Sequence, residues 1–188
     1  MGVDVPEELV EACRHREDGA FDDLVRLTHR PVYTLIARIV GDPEEAADVT
    51  QEAYVRVWRG LKRFRGDASF STWLYRVATN TALSHIKRRS REGIPTDPVT
   101  MPDRPVDDSS QVQADADVVE RAMRKLPADA RAVLVLKEMY GWTCEEIGRE
   151  MGATEGAIKV RLFRARRRLA DELATQGVVV PIKNRKSS

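Results

Sequence analysis

The chain has 188 residues, 42% of them apolar, which suits one ordinary domain or two small ones. Charged residues make up 32%, but the net charge is only +1 and by itself indicates no partner. No apolar run approaches the length of a membrane span, and the N-terminus lacks the basic and apolar parts of a signal peptide, so we expect a cytoplasmic protein without membrane insertion. Cys13 and Cys144 have no neighbours at metal or redox spacing, which fits a reducing compartment.

Charge is unevenly distributed along the chain. Asp42 to Glu52 holds five acidic residues and no basic ones, whereas Arg56 to Arg91 holds ten basic residues and one acidic one. Glu92 to Glu120 is again acidic, with eight acids and one base, and Arg149 to Arg168 has seven bases and two acids. Two basic zones separated by an acidic one predict two phosphate-facing surfaces and a connector that does not bind DNA.

The first half of the chain is predicted to form helices, because its apolar residues recur at helical spacing and no period-2 strand is found. Gly41, Asp42 and Pro43 end one helix and begin the next, since aspartate can cap and proline suits the first turn. The predicted helices run from Glu7 to Glu17, from Ala20 to Val40, from Pro43 to Leu61, and from Ser69 or Ser71 to about Arg89. They make up a first domain over residues 1–90.

A connector is predicted over residues 91–113. It has prolines at positions 95, 98, 102 and 105 among acidic and hydroxyl residues, so neither a helix nor a core is favoured and we expect a flexible linker. Helical periodicity resumes near Ala114 and defines a second domain over residues 114–174, followed by a basic tail, 175–188, that we expect to be disordered. The predicted fold is all-α, with an N-terminal helical bundle and a C-terminal helix-turn-helix joined by this acidic, proline-rich linker.

The second domain has the pattern of a helix-turn-helix. A helix is predicted over Ala128 to Met139, with Met139 on its buried side. Thr143 can cap a short helix over Cys144 to Met151, with Met151 buried, and Gly152 allows the tight turn that follows. Thr154 then caps a long final helix. Two helices joined by a glycine turn, the second strongly basic, are typical of a protein that places one helix in the major groove.

The final helix has an apolar stripe and a free side. Its predicted buried residues are Ile158, Leu162, Ala165 and Leu169. The opposite side carries Gly156, Val160, Phe163 and Arg167, with Lys159 and Arg164 beside it. A core would not leave Phe163 there, whereas in a groove its ring could meet a thymine methyl while Arg164 reaches a guanine edge or a phosphate. The alternative is a solvated basic helix on an unrelated bundle.

Aromatic and basic residues are interleaved in the first domain. Trp58, Phe64, Phe70, Trp73 and Tyr75 fall within eighteen residues, among arginines and lysines. Proteins hold single-stranded nucleic acid in this way, with bases stacked on rings and phosphates neutralised by cations. The alternative is that the tryptophans belong to the core of the bundle. For Trp58, four residues after a tyrosine, we favour the core, whereas for Phe64 and Phe70, on a loop or a helix start, both an exposed and a buried position are open.

The two halves also share motifs with one family. In the first domain these are DVTQEAYVRVW from Asp48, FRG from Phe64 and FSTWLYRVATN from Phe70. In the second they are Leu126-Pro127, EEIG from Glu145, and EGAIKVRL from Glu155, which Arg164-Ala165-Arg166 follows. In these motifs, over roughly residues 20–172 and in the same order, the chain resembles the extracytoplasmic-function (ECF) sigma factors, of the sigma-70 family, of bacterial RNA polymerase.

The resemblance implies a protein that binds core RNA polymerase, directs it to specific promoters and helps to melt DNA, without catalysis, cofactor or metal. The residues also disfavour an enzyme, because His15, His29 and His85 lie far apart in sequence and no phosphate loop or metal-ligand cluster is found. The alternative is a helix-turn-helix regulator that is not a polymerase subunit. Such a regulator would need a receiver domain or a ligand pocket, of which the basic first half gives no sign.

The resemblance implies that Asp48, Val49, Gln51, Glu52 and Val55 dock on the clamp helices of the polymerase's largest subunit. By their spacing Asp48, Glu52 and Val55 share one side of a helix, and Gln51 adjoins it. An acidic face of this kind would not compete for DNA. The alternative for any single one of these charges is an ordinary solvated helix start.

The resemblance further implies that the loop from Lys62 to Phe70 and the helix after it trap an unstacked base of the melted non-template strand. The residues concerned are Lys62, Arg63, Phe64, Arg65, Phe70, Trp73, Arg76, Asn80, Lys87 and Arg88. For Asn80 a base contact and a local hydrogen bond inside the bundle are equally open, since polar side chains in helices often bond locally.

The second domain is implied to read the duplex upstream promoter element and to rest on the flap of the polymerase's second-largest subunit. Its implied DNA-binding residues are Thr154, Glu155, Gly156, Lys159, Val160, Phe163, Arg164 and Arg167. Val160 departs from the family, which commonly has a small hydroxyl residue there, and this puts the upstream sequence preference, though not the fold, in question. The family also implies a linker in the RNA-exit path and, in many members, an anti-sigma factor that wedges between the domains.

Overall fold

The chain is helical throughout the residues that the computed structural model describes, which are 3–66, 68–93 and 111–175, and these contain no β-strand. It divides into two compact units, Met1–Ile94 and Pro95–Ser188. The predicted all-α fold with two helical domains is therefore confirmed. Within the same ranges, no helix is both long and apolar enough to cross a membrane. Residues 94–110 of the predicted linker and residues 176–188 of the predicted tail lie outside the described residues.

The first unit is a helical bundle. It comprises α1 (Glu7–His15), α2 (Ala20–Val40), α3 (Pro43–Gly60), a 3-10 turn (Leu61–Arg63) and α4 (Phe70–Arg91). Helices α2, α3 and α4 pack against one another in all three pairs. Their facing sides bury a core that includes Leu24, Ile36, Val57 and Leu74, and removing this apolar surface from water stabilises the bundle. The outer sides of α3 and α4 carry most of the site residues predicted in this unit.

The junction between α2 and α3 forms as predicted. Gly41 ends α2 with a φ of 84°, in the left-handed region that glycine adopts readily. Oδ1 of Asp42 accepts a hydrogen bond from the backbone N–H of Glu45 at 3.0 Å, and Pro43 is the first residue of α3. The cap fixes where α3 begins and thus which of its residues face outward.

Helix α1 is shorter than predicted and ends at His15 rather than at Glu17. Arg16 leaves the helix in the left-handed conformation, with φ 62° and ψ 34°, while its N–H bonds to the carbonyl oxygen of Cys13. Among the described residues Arg16 is the one non-glycine residue with positive φ. Because this conformation is unfavourable for a residue with a Cβ, other contacts of Arg16 must compensate for it.

The second unit is built around a long C-terminal helix. It comprises α5 (Gln111–Arg124), α6 (Ala128–Leu134), a π-helical turn (Val135–Met139), α7 (Cys144–Met151) and α8 (Glu155–Thr175). Helix α8 packs against α5, α6 and α7. The core includes Ala132, Leu136, Ile147 and Ile158, each 0% exposed. The arrangement leaves one side of α8 without a helical neighbour inside this unit's described part.

The π-helical turn corrects a prediction. Met139 was expected on the buried side of a regular helix, but it is 42% exposed. A π turn advances by fewer degrees per residue than an α-helix, so Leu136 stays buried while Met139 moves off the buried side. Met151 and Leu169, also predicted to be buried, are half-buried.

Candidate nucleic-acid interfaces and docking face

The outer side of α3 carries Asp48, Gln51, Glu52 and Val55, which we call the docking face. Asp48 and Gln51 are exposed, and Val55 is 47% exposed. The Glu52 carboxylate accepts a hydrogen bond from Nη2 of Arg56 at 2.6 Å, in an ion pair whose two side chains are both about 40% exposed. Exposed pairs of this kind contribute little free energy, so Glu52 can readily exchange Arg56 for another cation.

Val49 is the exception among the residues predicted to dock. Its side chain is only 2% exposed and lies among the core residues of the bundle. The sequence prediction is corrected here, because a residue that faces the bundle cannot contact a partner from the docking face. Val49 instead packs in the core of the bundle and helps to hold α3 against the other helices.

The three aromatic residues predicted around the start of α4 form one cluster. The ring centroids of Phe64, Phe70 and Trp73 lie 5.3–5.5 Å apart in all three pairs. Phe70 is only 7% exposed, so its position is the buried one and the implied contact of its ring with a base is wrong, whereas Phe64 and Trp73 are half-buried. Rings at these separations stabilise one another. The cluster thus leaves two rings partly exposed, in contact with the buried ring of Phe70.

Basic side chains surround this cluster. Lys62, Arg63 and Arg65 are exposed beside it, and Lys87 and Arg88 are exposed near the C-terminal end of α4. Together they give this side of the first unit the positive charge that a phosphate backbone requires.

Arg76 and Asn80 lie on the same side of α4 as Trp73, three and seven residues after it. Both are half-buried. The side chain of Asn80 has no hydrogen bond to any other described residue, which disfavours the alternative that it cross-links the bundle. Its amide is therefore available as both donor and acceptor.

A half-buried ion cluster ties the start of α3 to the second half of α4. Oε2 of Glu45 lies 2.9 Å from Nε2 of His85, and its other oxygen accepts a hydrogen bond from Arg89. Burial alone would raise the pKa of Glu45, but the hydrogen bonds from His85 and Arg89 outweigh it and the pKa is lowered. The cluster orients the part of α4 that carries the exposed Lys87 and Arg88.

Trp58 was predicted to belong to the core, and this is wrong. The ring is 38% exposed and lies at the surface, between Phe21 at a centroid distance of 4.8 Å and the guanidinium of Arg16, 3.3 Å from the ring centroid. Tyr54, four residues earlier, occupies the core position instead and is 7% exposed. Sequence reasoning missed Arg16 and Phe21, because nothing in their local pattern indicates contact with a residue about forty positions away.

In the second unit, the outer side of α8 matches the predicted free side. Phe163 is 60% exposed and Val160 is 50% exposed, whereas Ile158 and Ala165 are 0% exposed. The remaining predicted contact residues, Gly156, Lys159, Arg164 and Arg167, are also exposed. An apolar ring flanked by cations on an exposed helix has the chemistry required for contact with base edges and phosphates.

The first turn of α8 is stabilised by its own residues. Oγ1 of Thr154 accepts a hydrogen bond from the backbone N–H of Ala157 at 3.2 Å, as the predicted cap requires. Glu155 pairs with Lys159 at 2.8 Å, and this hydrogen bond raises the pKa of Lys159. The carboxylate of Glu155 is therefore paired with a lysine of the same helix.

Two arginines of α8 are engaged inside the unit. Nε of Arg161 lies 3.4 Å from Oδ2 of Asp129, and Arg166 pairs with Glu138. Both acceptors belong to the preceding helical segments, so these two arginines are engaged by their own unit. Arg164 and Arg167 make no ion pair within the described part of the chain. The free cations on α8 are therefore fewer than its sequence suggests.

The turn between α7 and α8 depends on a close backbone approach. Thr143 and Glu146 form the capping box that begins α7, and Gly152 ends it with a φ of 67°. The N–H of Ala153 donates to the carbonyl oxygen of Gly148 at 2.8 Å. A Cβ at Gly148 would lie 2.6 Å from the carbonyl oxygen of Ala153, so this position has no room for a side chain. This packing fixes the angle at which α8 leaves the turn.

The two units match two family descriptions. Residues 24–92 match sigma-70 region 2, and residues 116–169 match sigma-70 region 4. Among solved structures, the sigma factor RpoE from Bartonella quintana, crystallised with the anti-sigma factor NepR, matches 83% of this chain and 98% of its own, with a TM-score of 0.61 and 24% identity. CnrH, in complex with the cytosolic domain of CnrY, has a TM-score of 0.55 and 24% identity. These structural likenesses support the fold.

Curated relatives extend the match over most of the chain. The RNA polymerase sigma-H factor of Pseudomonas aeruginosa is 38% identical over 173 residues, which cover 85% of this chain and 89% of the relative. The ECF RNA polymerase sigma factor SigM of Mycobacterium tuberculosis is 36% identical, covering 87% and 82%, and the ECF sigma-E factor of Escherichia coli is 31% identical, covering 84% and 88%. Since both family regions and these relatives match in sequence, the chain belongs to the ECF sigma factors of the sigma-70 family.

Proposed function

We propose that this protein binds core RNA polymerase, directs it to specific promoters and helps to open the DNA there. The observation that carries the proposal is the outer side of α8, where Phe163 and Val160 are at least half exposed while Ile158, Leu162 and Ala165 on the opposite side are buried. An exposed phenylalanine among cations, on the second helix of a helix-turn-helix, has no role in the core. It is well suited to contact base edges in the major groove of an upstream promoter element.

The first unit is proposed to hold the melted non-template strand. The half-buried rings of Phe64 and Trp73, the free amide of Asn80 and the surrounding cations supply stacking, base-edge hydrogen bonds and phosphate neutralisation on one side of the unit. A flipped base needs all three to offset its loss of pairing. The buried ring of Phe70 supports those of Phe64 and Trp73.

The docking face is proposed to bind the clamp helices of the polymerase's largest subunit, and the second unit to rest on the flap of the second-largest subunit. Exposed carboxylates beside the exposed Val55 favour a partner surface that is both basic and apolar. The protein is proposed to act in the cytoplasm, together with RNA polymerase. We also propose an anti-sigma factor as a regulator, because the similar structure of RpoE was solved in complex with the anti-sigma factor NepR.

Run-off transcription with purified core polymerase tests the proposal. The wild-type protein should direct initiation at a defined set of promoters, which sequencing of DNA co-purified with the tagged protein and its polymerase would identify. Asp48→Lys or Glu52→Lys should abolish core binding, and Phe163→Ala or Arg164→Ala should weaken use of the upstream element. Asp23→Lys, an exposed acid on α2, is the control and should be active. Full activity of all four test variants would refute the assignments.

The alternative, a helix-turn-helix regulator, makes a different prediction for the protein alone. A regulator should bind duplex promoter DNA tightly without polymerase, whereas a sigma factor should need the core enzyme for tight binding. An electrophoretic mobility-shift titration with and without core polymerase distinguishes the two.

A further inference from the structure

An open cavity of about 450 Å³ lies where α1 meets α2, beside the docking face. Its apolar wall consists of Phe21, Tyr54, Val55 and Trp58. Its remaining lining is Gly19 and the charged residues Arg16, Glu17, Asp18 and Asp22. We call this cavity the α1–α2 pocket.

Arg16 is bound inside the fold and does not neutralise the pocket's acids by an ion pair. Its guanidinium stacks on the Trp58 ring, and its Nη2 donates a hydrogen bond to the carbonyl oxygen of Trp58 at 2.9 Å. Its Nη1 is buried without a hydrogen-bond partner among the described residues. A left-handed backbone and an unsatisfied buried donor both cost free energy, and such costs are found preferentially at functional sites.

The charge of the pocket points to a cation. Glu17, Asp18 and Asp22 are all exposed, so three carboxylates face solvent against one arginine that is stacked on a ring. A lysine or arginine side chain combines an aliphatic stem, which packs on aromatic walls, with a charged head that would reach these carboxylates. An anionic or purely apolar ligand would leave the acids unpaired.

The pocket also continues the docking face. Val55 belongs to both, and Trp58 follows Val55 at a spacing of three residues, on the same side of α3 as Gln51. A partner helix that lies along Asp48, Glu52 and Val55 would therefore reach Trp58 and the pocket at its end. The aromatic residues there are of the types that contribute most to binding at interfaces.

We infer that the α1–α2 pocket receives a lysine or arginine side chain from the same surface of core polymerase that contacts the docking face. This inference rests on the proposed function and adds a second site to it, formed by the α1–α2 junction, the start of α2 and the end of α3. Asp18 and Asp22 bind the cationic head, Phe21 and Trp58 pack on its stem, and Arg16 keeps the Trp58 ring in position.

The inference is tested by measuring how substitutions at two neighbouring residues change binding of the full-length protein to core polymerase. Biolayer interferometry provides the measurement. Asp22 and Asp23 are both exposed and both lie in the first turn of α2, but Asp22 lines the pocket and Asp23 does not. Asp22→Lys should weaken core binding about tenfold, and the Asp18→Lys, Asp22→Lys double variant more strongly. Asp23→Lys carries the same change of charge and should bind within about twofold of wild type.

Asp48→Lys separates failure of this inference from failure of the proposed function. If Asp48→Lys loses binding while Asp22→Lys and Asp23→Lys bind equally well, the pocket does not contact polymerase and only the docking face stands. If Asp48→Lys binds as the wild type does, the proposed docking on polymerase is itself wrong. A selective loss for Asp22→Lys over Asp23→Lys supports the inference.

Discussion

A Cβ at Gly60 would lie 2.9 Å from Cζ2 of Trp73 and 3.3 Å from its Cη2. Gly60 is the last residue of α3, and Trp73 lies in the first turn of α4. The indole ring thus rests on a position that has no side chain. This contact, together with the tilted ring contacts with Phe64 and Phe70, fixes the ring where the melted strand is proposed to bind.

Gly60→Ala should displace the Trp73 ring. Overpacking costs about 1–3 kcal/mol, and the higher helix propensity of alanine offsets about 1 kcal/mol of that, so we expect a net loss of about 1 kcal/mol in the free energy of unfolding. Near-UV circular dichroism should report the moved indole. Open-complex formation, followed by permanganate reactivity of unpaired thymines, should fall while core binding is unchanged.

A double variant shows whether the ring is the cause. Trp73→Phe removes the two atoms nearest to the added Cβ, so Gly60→Ala should cost less in that background. Equal costs in both backgrounds would mean that Gly60→Ala acts through the backbone and not through Trp73.

Sequence reasoning predicted the local features of the site well. The cap at Asp42 and the exposed Phe163 follow from short-range rules of capping and helical spacing, and the structure agrees with both. The errors at Trp58 and Phe70 have another origin. Which of two rings on one helix enters the core depends on partners such as Phe21 and Phe64, and no local pattern specifies these partners.

Gly148→Ala should disrupt the turn before α8. The added Cβ would lie 2.6 Å from a backbone carbonyl oxygen, which cannot rotate away as a side chain could, so we expect a loss of about 2 kcal/mol in the stability of the second unit. Gly156→Ala is the matched control, because a Cβ there has no neighbour within 4 Å. It should leave stability unchanged or raise it by up to about 1 kcal/mol.

Thermal unfolding of both variants, and promoter binding by the Gly148→Ala holoenzyme, check this prediction. Gly148→Ala should lower the melting temperature and weaken use of the upstream element, since α8 would no longer leave the turn at the same angle. Equal melting temperatures for the two variants would contradict the close approach at Gly148.

Glu45→Gln should make stability depend less on pH. The pKa of Glu45 is lowered in the folded protein, so its ionised form contributes stability above the ordinary carboxyl pKa, and this contribution is lost as the pH falls through the lowered value. At pH 7 the wild type should exceed Glu45→Gln by about 1 kcal/mol in urea unfolding, and the gap should narrow as the pH falls below about 4 and close once the pH has passed the lowered pKa of Glu45. Glu44→Gln, at the exposed neighbour, should show no such gap.

The side-chain pairs that link α3 to α4 and α8 to the π-helical turn could not be predicted from the sequence, for a related reason. Glu45 and His85 are forty residues apart, and Arg166 and Glu138 are twenty-eight apart, so only the packing of the helices brings them together. Charge counting therefore overestimated the cations of α8 that are free for DNA, because it could not separate arginines that pair internally from those that do not.

Arg164→Ala and Arg166→Ala should differ in their effect on promoter binding. Arg164 has no ion pair in the described part of the chain, whereas Arg166 is paired with Glu138. If Arg164 neutralises a phosphate, its loss should weaken holoenzyme binding and lower the slope of log K against log salt by about 1. Arg166→Ala should leave this slope unchanged and alter stability by about 0.5 kcal/mol at most, because the lost pair is exposed. Promoter affinities measured over a series of potassium chloride concentrations decide between these roles, and an equal fall in slope for both variants would mean that Arg166 leaves Glu138 to bind DNA.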